Sequence, residues 1–311
     1  AVVTPNAQPL GKGSDVYLNR WFNRKRELFV ANNSRNFKGV KKMGNKKNHI
    51  AHKSISELKA LFNKIERNNY AEREVFTDVI ALSACMLHQS AYNQILPIPK
   101  GEAYEEVENV RKEVVRKFNA KELSVIHEDI LPYLEREIQN GYQDILGNYY
   151  MELGANKNTA QFFTPYEISY LMAKMTFTDE HRKIIKCRGY INLSEPCVGA
   201  GGMILAFARV MQEDGFNPLN QLCVDAIDIE MNAFYIAYLQ LSLAGLSGTV
   251  SHGDTLRMEF WRTWETPISK IQRCFRVGKY ANCKAEETKM TDDIAILKQD
   301  NIAIGEQFML L

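Results

Sequence analysis

Hydrophobic positions change their period part-way along this chain. From Ser54 to about Gly154 they recur at helical spacing. Ile55, Leu58, Leu61, Phe62 and Ile65 form one apolar stripe, and Val75, Val79, Ile80, Leu82 and Met86 form a second. Val107, Val110, Val114 and Val115 form a third, charged on its outer face and separated from the second by Pro97-Ile98-Pro99. Ile126, Ile130, Leu134, Ile138 and Ile145 continue the spacing. After Thr164 the pattern alternates. Ile168, Leu171, Met172 and Met175 predict a helix, and short apolar runs at 191–194, 223–228 and 247–252 predict strands. Between the strands lie a helix from Ile204 to Met211 and a second, after Glu230, that is apolar on most sides. Strands alternating with helices build a mostly parallel sheet covered by helices. The expected organisation is therefore a basic arm (1–53), a helical domain (54–155) and an α/β domain (156–311).

The last segment is less regular. Ile271–Gly278 reads as a further strand, and Lys284–Asp293 as a polar helix or loop. Ile294–Leu297 and Phe308–Leu311 read as strands, or the latter as a docking tail. No internal repeat is visible.

Composition changes this picture little, and charge changes it more. The 311 residues are 45% hydrophobic and 24% charged, ordinary for a soluble globular protein with a sizeable core. No apolar run approaches a membrane span, and Ala1–Pro5 is not a signal peptide, so a cytoplasmic chain with no membrane contact is expected. Cys85, Cys187, Cys197, Cys223, Cys274 and Cys283 contain no C-x-x-C pair and read as reduced thiols, with no metal site expected. Net charge is +2, yet residues 1–60 carry 13 Lys/Arg against 3 Asp/Glu, leaving the remainder at −8. Lys41, Lys42, Lys46 and Lys47, interleaved with asparagines and glycines, have too little apolar surface to pack and suit contact with a phosphate polyanion such as DNA.

The densest chemistry lies in Ile191-Asn192-Leu193-Ser194-Glu195-Pro196-Cys197-Val198-Gly199-Ala200-Gly201-Gly202-Met203. A strand ends in an acidic residue, and small residues then open a helix. Glycines let backbone approach a ligand closely and adopt positive φ. The run lacks the G-x-G-x-x-G of dinucleotide sites, and no G-x-x-x-x-G-K-[ST] occurs in the chain. An acidic strand end suits a ligand carrying positive charge, as S-adenosylmethionine does at its ammonium and sulfonium.

The flanking boxes make the pattern more specific. Asp144-Ile145-Leu146-Gly147-Asn148-Tyr149-Tyr150 and Gln161-Phe162-Phe163-Thr164-Pro165 precede the loop. Ala226-Ile227-Asp228-Ile229-Glu230 and His252-Gly253-Asp254-Thr255-Leu256 follow it. In this order, over roughly residues 120 to 260, the set resembles the adenine-N6 DNA methyltransferases, in particular the modification subunits of type I restriction-modification systems. The resemblance implies a Rossmann-like S-adenosylmethionine-dependent methyltransferase sheet behind a helical N-terminal domain. It further implies a DNA substrate, S-adenosylmethionine as cofactor, and a separate specificity subunit or a homo-oligomer as partner. By position, Phe162, Thr164 and Pro165 would line the methionine end of the cofactor, and Glu195 would face its amino group. Gly199 and Gly201 would pass close to the ligand. Asp228 would accept from the ribose hydroxyls, Ile229 would pack on the adenine, and Asp254 would accept from the adenine's amine.

One family element is missing. Such enzymes carry [ND]-P-P-[FY] at the end of the fourth strand, where amide and carbonyl oxygens accept from the target amine and the aromatic ring stacks on the extruded base. No such tetrad follows Asp254. The nearest substitute in chemistry is Trp264-Glu265-Thr266-Pro267, with Trp264 as the stacking ring and Thr266 or Pro267 as the acceptor. The alternative is a methyltransferase-like protein without base chemistry, serving as a DNA-binding, anti-restriction or partner-binding module.

Overall fold

The computed structural model describes residues 20, 23–24, 27, 48–66, 70–95, 102–154 and 163–271. The apolar stripes of the first half become helices α1 (Asn48–Phe62), α2 (Glu72–Ile95) and α3 (Glu102–Val115). A capping box between Asn119 and Glu122 starts α4 (Ala120–Ser124). This helix continues through a π-helical turn (Val125–Ile130) into α5 (Leu131–Gln139). Pro132 explains the widened turn: it has no N–H for the carbonyl four residues back, and Leu131 N–H donates instead to Ile126 C=O. Helix α6 (Ile145–Glu152) begins at Asp144, whose carboxylate accepts from Gly147 N–H.

Helices α7 (Tyr166–Thr176) and α8 (Asp179–Arg188) lead into the sheet. Strand β1 (Ile191–Glu195), α9 (Gly202–Glu213), the short α10 (Pro218–Gln221) and β2 (Leu222–Asp228) form the first strand–helix–strand unit. Helix α11 (Met231–Ala244) and β3 (Ser247–Asp254) form the second, and a tight turn adds β4 (Glu259–Glu265). The sheet order is β1-β2-β3-β4, the first three parallel and β4 antiparallel to β3. The α/β class read from the sequence is the class observed. Strand β4 has no counterpart in that reading, because its residues mix large apolar groups with charges instead of alternating cleanly. At the other end the difference is one of type: residues 267–271 are helical, so the expected strand from Ile271 does not begin there. The rest of that segment lies outside the described residues.

Helix α11 explains why the halves pack together. It is buried at every position from Ala233 to Ala244, as a helix apolar on all sides requires. One side covers β2 and β3, and the other meets α2, α5 and α6. Tyr238, Phe234 and Phe76 are among the largest fully buried side chains. Arg262 on β4 adds a polar link, bonding to Glu106 on α3 and to the Tyr235 hydroxyl on α11 (3.2 Å).

Candidate functional site

Three neighbouring strands end in carboxylates: Glu195 on β1, Asp228 on β2 and Asp254 on β3. Because these strands are parallel, the three share one edge, and open parallel sheets take ligands outside the carboxyl ends of their strands. Backbone hydrogen bonds fold the loop after β1 onto this edge. Val198 N–H donates to Ile227 C=O (2.8 Å), and Gly199 N–H to Asp228 Oδ2 (2.8 Å). Asp228 Oδ1 accepts from Glu230 N–H (2.9 Å). A carboxylate offers about four acceptor positions, so both oxygens of Asp228 retain capacity for a ligand. Asp254 Oδ1 accepts from Leu256 and Arg257 N–H (2.9 and 3.1 Å), and the Thr255 hydroxyl donates to Pro196 C=O (2.6 Å). The end of β3 is thereby tied to the loop after β1.

The electrostatics favour a cation. Burial raises the Glu195 carboxyl above its ordinary range and Asp228 raises it further, against one opposing bond from Cys197 N–H (3.3 Å). The Cys197 thiol is raised by burial and by the same two carboxylates. A positively charged ligand would relieve this repulsion.

The glycines have specific reasons. Gly199 and Gly201 hold φ of 54° and 94°, in the left-handed region that a Cβ disfavours. A Cβ on Gly199 would also stand 2.9 Å from the Phe163 ring. Phe163 is thus the aromatic laid against the loop. It stacks on Tyr150 (centroids 5.4 Å apart), whose hydroxyl accepts from Arg73 (2.6 Å). Thr164 and Pro165 follow it and are exposed, and the Pro165 carbonyl opens α7 by accepting from Ile168 and Ser169 N–H. Ile229 stands beside Asp228 and is more than half exposed. The structure therefore brings Glu195, Gly199, Gly201, Asp228, Ile229 and Asp254 to one edge, with Phe163 against the loop and Thr164 next in the chain. Phe162, Lys41, Lys42, Lys46 and Lys47 lie outside the described residues.

Beneath the loop lies a buried network that the motifs do not announce. The Gln240 side-chain N–H2 donates to Asp144 Oδ1 (2.8 Å) and to Ala200 C=O (2.7 Å), and its Oε1 accepts from Leu146 N–H (3.0 Å). Burial raises the Asp144 carboxyl, and its bonds from Gln240 and Gly147 oppose that shift. One amide fixes the glycine loop to the 144–150 segment. The signal in the sequence is a single Gln within the apolar run of α11.

Residues 138–275 match the family model described as N-6 DNA methylase. That segment contains all three acidic strand ends, the glycine loop and the Asp144–Gln240 network. The resemblance read from the boxes is to this family. No curated protein matches the chain. Two solved structures share some similarity with it. One is a candidate class I S-adenosylmethionine-dependent methyltransferase from Listeria monocytogenes, at 14% identity and TM-score 0.37 over 66% of this chain and 55% of that one. The other is a type I restriction-modification methyltransferase subunit from Streptococcus thermophilus, at 13% identity and TM-score 0.31 over 64% and 56%. The chain spans a little over half the length of each.

Within the matched segment, one expectation requires correction. Trp264 is buried, stacked on His88 (4.3 Å) and edge-on to Tyr238 and Phe234 (4.9 Å each). In register it pairs with Val250, which pairs with Ala226, which pairs with Glu195. Three strand spacings put it roughly 14 Å from Glu195, beneath α11. Thr266 is fully buried: its hydroxyl donates to Leu246 C=O (2.8 Å) and accepts from Gly248 N–H (3.2 Å). It sits at the start of β3, opposite the carboxylate edge, and Pro267 is buried beside it. These three residues close the core and offer no face to a base. Among the described residues no group of three or more His, Cys, Asp or Glu is arranged to hold a metal, and no helix is long and apolar enough to cross a membrane.

Proposed function

We propose that this protein is an S-adenosylmethionine-dependent DNA methyltransferase acting on the N6 amine of adenine. The observation that carries the reading is the row of acidic strand ends beside a left-handed glycine loop, inside a segment that matches the N-6 DNA methylases. The donor set fits that cofactor, since the mutually repelling Glu195 and Asp228 suit a cationic ligand, and the left-handed Gly199 and Gly201 turn the loop beside them. When bound, the cofactor supplies an electrophilic methyl group.

The chain's own residues bind and orient. Glu195 and the backbone at Thr164 hold the amino-acid end, and Asp228 accepts from ribose hydroxyls with the capacity its backbone bonds leave. Ile229 covers the adenine face, and Asp254 receives its amine. The lysines at 41, 42, 46 and 47 contact DNA phosphates without reading sequence. Recognition sequence comes from a specificity subunit or a second copy, and the setting is cytoplasmic.

Incubation with tritiated S-adenosylmethionine and DNA, followed by nucleoside analysis, tests the proposal. Label in N6-methyladenine supports it. Cofactor and DNA binding without label in any nucleoside would favour a binding module instead.

A further inference from the structure

The turn between β3 and β4 displays more apolar surface than a free loop normally carries. Leu256 is 96% exposed, Met258 68%, Trp261 54% and Phe260 45%. Large apolar side chains left exposed together in one turn and the strand it starts point to an interaction. The turn is also held stiffly: Asp254 caps Leu256 and Arg257, Met258 N–H donates to Thr255 C=O (3.3 Å), and Thr255 is tied to Pro196 in the glycine loop. Met258 holds φ of 57°, a left-handed conformation that suits Gly or Asn and strains a Met side chain. Strain and exposure coincide on Met258. At the foot of the hairpin, Trp261 meets His252 edge-on (4.8 Å), and His252 Nε2 lies 3.2 Å from Ile229 C=O beside Asp228. The apolar tip therefore adjoins the carboxylate edge, and the exposed Arg257 side chain accompanies it.

We propose that this hairpin is a DNA-opening wedge. Leu256 and Met258 enter the base stack where the target nucleotide leaves it, Phe260 and Trp261 stack on unpaired bases, and Arg257 meets a phosphate. The proposal rests on the DNA methyltransferase reading above. A base must leave the duplex to reach a methyl donor, and leucine and methionine are among the side chains that fill the gap left by unstacking. Aromatic platforms accept any base, because every base presents a π face. Position favours DNA over a protein partner, since the tip is tethered directly to the loop that would hold the cofactor.

The test uses the full chain, S-adenosylmethionine and mixed-sequence DNA, both single-stranded and duplex. Leu256→Ser combined with Met258→Asn should weaken DNA binding about tenfold and leave cofactor affinity by calorimetry within twofold. Met258→Asn alone should weaken DNA binding while keeping or raising Tm, because Asn tolerates the left-handed conformation better; a purely structural residue would not separate the two. DNA should quench tryptophan emission in the parent chain, and Trp261→Phe should abolish most of that quench. DNA affinity unchanged in the double variant overturns the wedge. So does loss of a dimer in that variant, which would make the tip a contact between copies. A parent chain that binds cofactor yet no DNA overturns the underlying reading instead.

Discussion

Asp228 shows how one side chain serves structure and ligand together. Each oxygen takes one backbone N–H, from Gly199 and Glu230, so the carboxylate organises two loops before any ligand arrives. Asp228→Ala removes these bonds along with those proposed to the ribose. Cofactor affinity should fall by roughly 2–4 kcal/mol, on the scale of bonds to a charged acceptor, as read by calorimetry. Gln240 is a structural counterpart. Gln240→Leu fills the space yet strands the Ala200 carbonyl and the Leu146 N–H in the core and leaves the buried Asp144 carboxylate with the Gly147 N–H alone. Buried groups left without partners cost about 1–3 kcal/mol each, so urea unfolding should show a loss at or above the upper end of that range.

At the scale of elements, helices α7 and α9 are joined by Glu213, which accepts from Lys174 (2.8 Å), Arg209 (3.0 Å) and the Tyr170 hydroxyl. Burial alone would raise this carboxyl. The bonds from Lys174, Tyr170 and Arg209 overcome that and hold it at about 2, below the ordinary 4.5. A carboxyl lowered on folding contributes stability that is complete above about pH 4.5 and is lost as pH falls toward 2. Glu213→Gln should therefore flatten this part of the stability–pH curve, by about 1 kcal/mol or less since the group is partly exposed and screened by solvent. Strand β4 is secured differently, by Trp264 under α11. Trp264→Ala should cost about 3–5 kcal/mol of stability, as for large-to-small changes in a core. Retained cofactor binding in the fraction that folds would agree with its distance from the carboxylate edge.

At the scale of the whole molecule, charge is divided along the chain, with +10 over residues 1–60 and −8 over the remainder. Replacing Lys41, Lys42, Lys46 and Lys47 by Gln should lower DNA affinity equally for all sequences. It should also flatten the dependence of log K on log salt by up to about 0.9 for each phosphate that is no longer neutralised. An unchanged slope, measured by titration at several salt concentrations, would remove the arm from the interface.

What the sequence determined by itself was whatever is local in the chain. Period-3.6 stripes became helices, three apolar runs became β1 to β3, and an acidic residue followed by small ones marked a strand end and a close-approach loop. These signals survive without tertiary context because secondary structure and turn chemistry act over a few residues. What only the tertiary structure decided was which residues share an edge and which share a core. Trp264 and Thr266 carry groups suited to base chemistry, yet the register of β4 against β3 turns Trp264 toward His88 and α11 and leaves Thr266 at the far end of the sheet. Phe163 covers Gly199, and Gln240 reaches across 96 residues to Asp144. Adjacent positions on a strand or helix face different ways, so a residue's chemistry names a role that only packing can assign.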